Sequence, residues 1–436
     1  MLGFLLATLA FQGLVILVWG FRRRDRLIQY PILAAGVFLG WVLPQLVGLA
    51  NNPYLPPGGL EKTILLANLC LGAAWVGYVT NKRPARLFQW RFDGRRLLVA
   101  CAFLSLAGAF FFYQISLLAP EAGTRWTGII TIYYLFSKLL TVGLVIAVVL
   151  HMTRPSWATL AIIAFDLVFY FDRIIIKGRR SAMVELGLML LMALWFHRRW
   201  APPRVVVVTM LVAGMLVINS IGEYRATMLN DDLTTWSGAN LNDLLEIDYV
   251  GNLSRIAQGE AANGELTNAV MDIEATDRQL RFDFGLAHWN GLVRYYVPGQ
   301  WVGSEVKEAL TFDFGNPAFE ELRHVSATGN TSTGLSDVFQ SFWYFGAGVF
   351  FLIGLIMSRW YRAALMGNVA AEMVLMLSLP SSLVAITHST QLFSMMFVQI
   401  VAFLVPALLW ARAETERSAA PAAQMRVPHT VSGAIQ

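Results

Sequence analysis

The sequence predicts an all-helical, polytopic membrane protein, built as a bundle of about eleven spans with one large, partly helical loop outside the membrane. Two observations predict this fold class. Of the 436 residues, 56% are hydrophobic and only 14% are charged, and the apolar residues lie in stretches long enough to cross a bilayer. Four of the short connections between these stretches are strongly basic and fall on the same predicted side, as expected for loops on the cytoplasmic face of a membrane.

Eleven apolar windows, each of roughly twenty residues, account for most of the chain. They cover residues 1–20, 27–50, 64–80, 97–118, 129–151, 157–176, 183–197, 205–221, 337–361, 369–389 and 391–411. The first window has no basic residue before it and no clear small-residue cleavage site before the Arg residues that follow. We therefore expect it to be a retained membrane anchor and not a removed signal peptide.

The basic residues of the short connections predict the orientation, because Lys and Arg beside a span are retained on the cytoplasmic side. Basic clusters follow the first, third, seventh and ninth spans. Their members are Arg22, Arg23, Arg24, Arg26, Lys82, Arg83, Arg86, Arg91, Arg95, Arg96, Arg198, Arg199, Arg204, Arg359 and Arg362. All four clusters fall on one side if the amino terminus is outside, and an odd number of spans then places the carboxyl terminus inside.

One basic cluster violates this rule and carries the first functional hypothesis. Residues 177–180 (Lys-Gly-Arg-Arg) follow the sixth span and would lie outside, unless one span has been miscounted. At 100° per residue, Arg179 points away from its basic neighbours unless Gly178 ends the helix. The rest of the cluster belongs to a polar stripe along one helical face, formed by Asp166, Tyr170, Arg173, Lys177 and Arg180.

Two accounts of the stripe remain open. Asp166 and Asp172 could neutralise Arg173 inside the bundle, but too little acid is nearby to neutralise the other cations as well. A lipid diphosphate would explain the excess charge, because its tail lies in the bilayer while arginine forks bind its phosphate oxygens. Arg225, just past the eighth span, could join this site. Glu185 could orient one of the cations or could be a surface carboxylate.

The only long connection, residues 222–336, differs in charge from the rest of the chain. Its 115 residues contain 17 acidic and 7 basic side chains, so it carries −10 while the remainder carries +15. Helical patterns at residues 242–258 and 266–280 predict that it folds as a lid. We therefore expect membrane bundles at 1–221 and 337–411, an acidic loop at 222–336 and a disordered cytoplasmic tail at 412–436.

Two short segments carry a resemblance to a known family. Residues 177–182 (Lys-Gly-Arg-Arg-Ser-Ala) precede an apolar span and the large loop. Residues 328–334 (Thr-Gly-Asn-Thr-Ser-Thr-Gly) then lead into 342–348 (Phe-Trp-Tyr-Phe-Gly-Ala-Gly). This arrangement resembles the bacterial oligosaccharide repeat-unit polymerases, also called O-antigen polymerases. The related O-antigen ligases have a loop His before an Asn, a pattern loosely matched by His324 and Asn330.

The resemblance implies a multi-pass glycosyltransferase of the bacterial inner membrane that polymerises polyprenyl-diphosphate-linked repeat units at the periplasmic face, for O-antigen or exopolysaccharide synthesis. It implies a metal-independent, inverting transfer without a cofactor. The partners expected are the lipid-linked glycan, the bilayer, a chain-length regulator and a flippase. The alternatives are a ligase, which differs in the acceptor, and a transporter of lipid-linked glycans, for which broken helices and inverted halves are typical.

Such a transfer needs a base near the acceptor hydroxyl as the diphosphate leaves from the opposite face of the sugar. His324 is the first candidate, because its side chain titrates near neutral pH. Asp337, Glu223 and His288 are the alternates, although Asp337 could instead cap the ninth helix. The predicted diphosphate-binding residues are Arg173, Lys177, Arg179, Arg180 and Arg225.

Other chemistry is poorly supported by the sequence. Neither Cys70 nor Cys101 has partners at zinc-ligand spacing, so no metal site is predicted. The cytoplasmic basic residues are short juxtamembrane runs, which topology and anionic lipid explain better than nucleic acid does. Lys138 and Glu372 lie inside predicted spans, where charged residues are candidates for function or for pairing between helices.

Overall fold

The computed structural model describes residues 1–86, 89–118, 129–230, 246–258, 265–325 and 332–413. Within these ranges the chain is predominantly helical and forms no β-strand. The all-helical membrane bundle predicted from composition is therefore confirmed for the described residues. Nearly all of the predicted tail at 412–436 lies outside them.

Nine helices in the described part of the chain are long and apolar enough to cross a membrane. They are α1 (Leu2–Phe21), α2 (Tyr30–Leu49), α3 (Gly59–Thr80), α4 (Gly94–Ser116), α5 (Ile129–Thr153), α7 (Arg180–Arg198), α15 (Gly334–Leu365), α16 (Val369–Thr387) and α17 (Gln391–Trp410). Two further helices occupy the sixth and eighth predicted windows. Helix α6 consists of Trp157–Phe171 and a π-helical turn at Asp172–Ile176, and α8 spans Arg204–Asn230.

Three of the membrane helices begin at polar side chains that cap their first turn. Asp93 accepts hydrogen bonds from two backbone N–H groups at the start of α4. Ser156 and Thr159 form a reciprocal capping box at the start of α6, and Asn368 caps α16. Caps of this kind satisfy N–H groups that have no partner within the helix, which explains why these helices start directly after short polar connections.

Close backbone contact between α3 and α15 forms one seam of the bundle. A Cβ atom added at Gly77 would lie 2.1 Å from the Phe351 carbonyl oxygen, and one added at Gly354 would lie 2.2 Å from the Ala74 carbonyl oxygen. Small residues allow such approach between membrane helices, where packing replaces the hydrophobic effect as the driving force. Helix α16 is the most deeply buried candidate span, with 83% of its most apolar window inside the protein.

The long connection contains six described helices. They are α9 (Tyr249–Ala257), α10 (Glu265–Gln279), α11 (Leu286–Tyr296), α12 (Gly299–Val302), α13 (Ser304–Ala309) and α14 (Pro317–Leu322). Helix α10 confirms the helix predicted at 266–280. Within the region 242–258, where a helix was predicted, helix α9 begins at Tyr249. The Asp248 carboxylate caps it by accepting a hydrogen bond from the Gly251 N–H (2.8 Å). Asn242 itself lies outside the described residues.

Two contacts attach the long connection to one end of the bundle, which we call the loop end. At the start of α3, Lys62 forms ion pairs with Glu274 (2.8 Å) and Asp277 of α10. Helix α11 lies along α17, where the Tyr296 hydroxyl donates to the Met395 carbonyl oxygen (2.8 Å). These contacts hold α10 and α11 directly above the ends of the membrane helices.

Candidate functional site

The helix ends after α6, and the turn that follows it positions the predicted phosphate-binding cations. The π turn ends at Ile176, and Gly178 adopts φ of +52°, a left-handed conformation that glycine tolerates best. The Arg179 N–H donates to the Arg173 carbonyl oxygen (2.9 Å), and α7 begins at the next residue. Gly178 therefore ends the helix, and Arg179 lines the same cavities as Arg173.

The stripe predicted along α6 is partly realised. Asp166 and Tyr170 are fully buried and Arg173 is 8% exposed, whereas Lys177 lies on the exposed side. Lys177 follows the π turn and lines the same cavity as Arg173. The side chain of Arg180, the last member of the stripe, lies outside the part that the structure describes.

The larger cavity at this position has a volume of about 580 Å³ and lies between α4, α5 and α6. Its lining combines apolar side chains, such as Phe112, Leu140 and Val168, with charged ones. Four cations and one carboxylate belong to this lining. The cations are Lys138, Arg173, Lys177 and Arg179, and the carboxylate is Asp172.

A second cavity of about 270 Å³ adjoins the first and shares Lys138, Arg173 and Arg179 with it. Helix α11 contributes Tyr295 and Tyr296 to its lining, and α16 and α17 contribute further residues. The shared cations therefore lie between a cavity among membrane helices and a cavity that borders the loop. We call these two cavities together the cationic site.

Ion pairs neutralise only two of the four cations in the cationic site. Arg173 lies 3.6 Å from Glu185, and Lys177 lies 3.0 Å from Asp172 with its ammonium 4.5 Å from the centre of the Phe112 ring. Lys138 and Arg179 pair with no carboxylate in the ranges that the structure describes. Four cations and two carboxylates leave the described lining of the site with a formal charge of +2.

The pairing of Arg173 differs from the one considered from sequence. Asp166 accepts a hydrogen bond from Ser105 of α4 (2.8 Å), so it does not neutralise Arg173. Glu185, one turn into α7, is the carboxylate nearest to the Arg173 guanidinium. The guanidinium also lies 5.2 Å from the centre of the Tyr170 ring. These contacts hold Arg173 in place.

Lys138 belongs to the site, although sequence placed it only among the intramembrane charges. It lies at the break between Ile129–Ser137 and Leu139–Thr153, the two segments of α5. Its electrostatic neighbours are Arg173, Arg179 and Glu185. By contrast Glu372, the other intramembrane charge, lies 2.8 Å from His197 and is explained by pairing between helices.

Asp337 anchors a second group of polar side chains at the loop end. Its carboxylate accepts hydrogen bonds from the Ser389 hydroxyl and from the Thr390 backbone N–H (2.9 Å). The Thr390 hydroxyl lies 3.3 Å from the same carboxylate oxygen and 2.8 Å from His288 Nε2. A hydroxyl donates one proton, so when Thr390 donates to Asp337 it accepts from His288. The three residues form a carboxylate–hydroxyl–imidazole chain.

Asp272 lies close to this chain and was missed by sequence reasoning. It is 7% exposed and accepts a hydrogen bond from the Ser332 hydroxyl (2.8 Å). Burial, together with the nearby Asp337 carboxylate, raises its pKa to about 6. A buried carboxyl on an amphipathic helix leaves no signature in sequence, because only the tertiary contact with residues 332–337 makes it unusual.

His324, the first candidate base, lies against the same helix α10. Its Nε2 atom is 2.9 Å from the Asn268 side-chain oxygen, and burial lowers the pKa of its imidazole. Asn268 precedes Asp272 by one helical turn, so α10 brings His324 near the Asp272 carboxyl. The predicted partner Asn330 lies outside the described residues.

Glu223, another of the predicted site residues, does not line the cationic site. Glu223 accepts a hydrogen bond from Asn252 and lies 3.8 Å from Arg255, so it joins α8 to α9. The side chain of Arg225 lies outside what the structure describes. Among the described residues, no group of three or more His, Cys, Asp or Glu side chains is arranged to hold a metal ion.

Comparison with known proteins identified no relative of this chain. No protein-family model, no curated protein and no solved structure matches the chain. The functional interpretation therefore depends on the geometry of the cationic site and of the Asp337–Thr390–His288 chain.

Proposed function

We propose that the protein is a membrane glycosyltransferase that polymerises polyprenyl-diphosphate-linked oligosaccharide repeat units at the periplasmic face of a bacterial inner membrane. The proposal includes eleven spans, with the amino terminus outside and the carboxyl terminus inside. Basic residues in the short connections support this orientation. It makes the loop end periplasmic.

The observation that carries the proposal is the cationic site with its formal charge of +2. Uncompensated cations among membrane helices are costly unless they face a ligand or water. A diphosphate would bind Arg173 and Arg179 through paired hydrogen bonds to their guanidinium groups, and Lys138 through the charge of its ammonium group. The apolar wall of the larger cavity suits the prenyl chain of the same molecule.

The cations would also promote the chemical step. In the transfer, the acceptor hydroxyl oxygen forms a bond to the anomeric carbon while the bond from that carbon to the diphosphate oxygen breaks. The diphosphate leaves with the electron pair, and the negative charge that develops on it is stabilised by cations already in place. The acceptor attacks from the opposite face of the sugar, so the configuration inverts.

The acceptor proton requires a base, and the contacts favour the Asp337–Thr390–His288 chain over His324. His288 lies on α11, seven residues before Tyr295 of the cationic site, which corresponds to ~10 Å along a helix. That separation leaves room for sugar between the leaving group and the base. Thr390 and Asp337 would orient the imidazole and stabilise it once it is protonated. His324 and Asp272 would then assist at the acceptor side of α10.

The test is transfer by the purified protein in proteoliposomes that contain a lipid-diphosphate-linked repeat unit. We expect a ladder of glycans that differ by one repeat unit, formed without added metal or cofactor. His288→Asn should abolish the ladder while donor binding persists, and His324→Asn should reduce it less. A ladder of unchanged rate with His288→Asn would remove this residue from the mechanism.

The same preparation separates the alternatives. Transfer of glycan to a lipid acceptor without any ladder would indicate a ligase. Movement of the lipid-linked unit across the bilayer without any new glycosidic bond would indicate a transporter. The orientation is tested by labelling Arg179→Cys with a thiol reagent added from outside the membrane. The background variant lacks the native Cys70 and Cys101, which are both buried. Labelling only from the cytosol would overturn the proposal.

A further inference from the structure

Another cavity lined by cations, separate from the cationic site, lies at the end of the bundle opposite the loop end. It has a volume of about 300 Å³ and is enclosed by the carboxyl-terminal ends of α1, α3 and α15 and by the connection between α1 and α2. Three arginines line it with a single carboxylate, which gives its lining a formal charge of +2. The arginines are Arg23, Arg26 and Arg362, and the carboxylate is Asp25.

Arg26 is held in position at the wall of this cavity. Its Nη1 atom donates to the Trp19 carbonyl oxygen (3.0 Å), and its guanidinium lies 4.4 Å from the centre of the Trp19 ring. Asp25 pairs with Arg23 (3.0 Å). No carboxylate in the described ranges pairs with Arg26, and burial together with the neighbouring Arg23 cation lowers the pKa of its guanidinium. An anion in the cavity would relieve this repulsion.

Arg362 approaches from another helix and is also held by a neutral group. Its Nε atom donates to the Ser358 hydroxyl one turn earlier in α15 (3.3 Å), and no carboxylate among the described residues pairs with it. The cavity therefore presents guanidinium groups from two separate segments of the chain. Two such groups can surround one phosphate.

The cavity adjoins the most exposed of the candidate membrane helices. Helix α1 forms one wall, and only 17% of its most apolar window is buried, against 33% or more in each of the other eight candidate spans. Its outer face exposes Phe11, Leu14 and Val18. Trp19 lies at its end, as is common for aromatic residues at the level of lipid headgroups.

We propose that this cavity binds the phosphate group of an acidic phospholipid, with the acyl chains lying along the exposed face of α1. Basic pockets between membrane helices are suited to anionic headgroups, and charge-assisted hydrogen bonds from arginine supply the affinity. The site is separate from the one assigned to the lipid-diphosphate substrate. Its occupant would fix the ends of α1, α3 and α15 relative to one another.

The test measures lipid retention by the purified full-length protein in a neutral detergent, using native mass spectrometry. The probes are phosphatidylglycerol, phosphatidylcholine and inorganic phosphate. The test variant combines Arg26→Gln with Arg362→Gln. The control combines Arg24→Gln with Arg96→Gln, which removes the same charge from exposed side chains that do not line the cavity.

We expect phosphatidylglycerol to be retained in preference to phosphatidylcholine. Affinity should fall at least about tenfold in the test variant, since it loses two charge-assisted hydrogen bonds, and should be unchanged in the control. Equal retention of the two lipids, or equal losses in the two variants, would overturn the proposal. Binding of inorganic phosphate as tight as that of the lipid would show a site for a soluble anion instead.

A second measurement covers the case in which the test variant does not fold. Phosphatidylglycerol with a photoreactive acyl chain is cross-linked to the wild-type protein, and the modified peptides are identified. We expect modification of the exposed face of α1 near Val18, with competition by unlabelled phosphatidylglycerol. Cross-links spread evenly over the lipid-facing helices would contradict a specific site.

Discussion

Arg179→Gln is the substitution that most cleanly separates ligand binding from folding in this protein. The change lowers the formal charge of the described cationic site from +2 to +1. A hydrogen bond to a charged group contributes about 1.5–3 kcal/mol, so losing one from the departing diphosphate should slow transfer by about 10- to 150-fold. Arg179 is exposed and pairs with no carboxylate among the described residues, so the free energy of unfolding should change by less than about 0.5 kcal/mol.

The assay is the initial rate of ladder formation in proteoliposomes, measured over a range of donor concentrations. Arg198→Gln is the matched control, because Arg198 is exposed at the opposite end of the same helix α7. We expect kcat/KM to fall for Arg179→Gln and to stay near the wild-type value for Arg198→Gln. Equal rates for the two variants would refute the assignment of Arg179 to the diphosphate.

Three further predictions follow from single contacts. Lys177→Gln should slow transfer by roughly threefold, which is less than the effect of Arg179→Gln. The reason is that a neighbouring carboxylate already neutralises Lys177, and exposed pairs contribute about 1 kcal/mol or less. The same ladder assay measures this rate. In the folded protein, burial raises the pKa of Asp272 from the usual 3.8 to about 6. The free energy of unfolding should therefore fall by about 3 kcal/mol as the pH rises from 3.8 to 6. Thermal unfolding of Asp272→Asn in detergent should not show this pH dependence. Gly77→Ala places a Cβ against a backbone oxygen and should cost about 1–3 kcal/mol or more, whereas Gly187→Ala, with nothing within 4 Å, should leave the unfolding temperature unchanged.

The membrane bundle was predictable from sequence because its signal is repeated along the chain. Each apolar window has a length set by the bilayer, and nine of the windows correspond to helices that meet the length and hydropathy criteria. The boundaries were less accurate. The eighth window was predicted to end at residue 221, but α8 runs to Asn230, since backbone hydrogen bonds continue a helix where hydropathy has already fallen.

The cationic site was predictable in part. The excess of positive charge in residues 177–180 and the role of Gly178 could be read from local sequence. The π turn at Asp172–Ile176 could not, because it depends on how α6 packs against its neighbours. Lys138 joins the site only because the break in α5 brings it beside Arg173.

The polar chain at the loop end required the structure. Thr390 contacts His288 across 102 positions of sequence and Asp337 across 53, and no local pattern links these three residues. Sequence identified Asp337 and His288 as titratable residues in the right region and ranked His324 above both. Because of the contacts with Thr390, we propose the opposite order.

The most direct test of the account is a structure of the protein with a bound prenyl diphosphate, determined in lipid nanodiscs. The account predicts phosphate oxygens within hydrogen-bond distance of Arg173 and Arg179, with the prenyl chain against Phe112 and Val168. A diphosphate bound elsewhere, with Arg173 still paired to Glu185 and the cavity filled by apolar lipid, would contradict it.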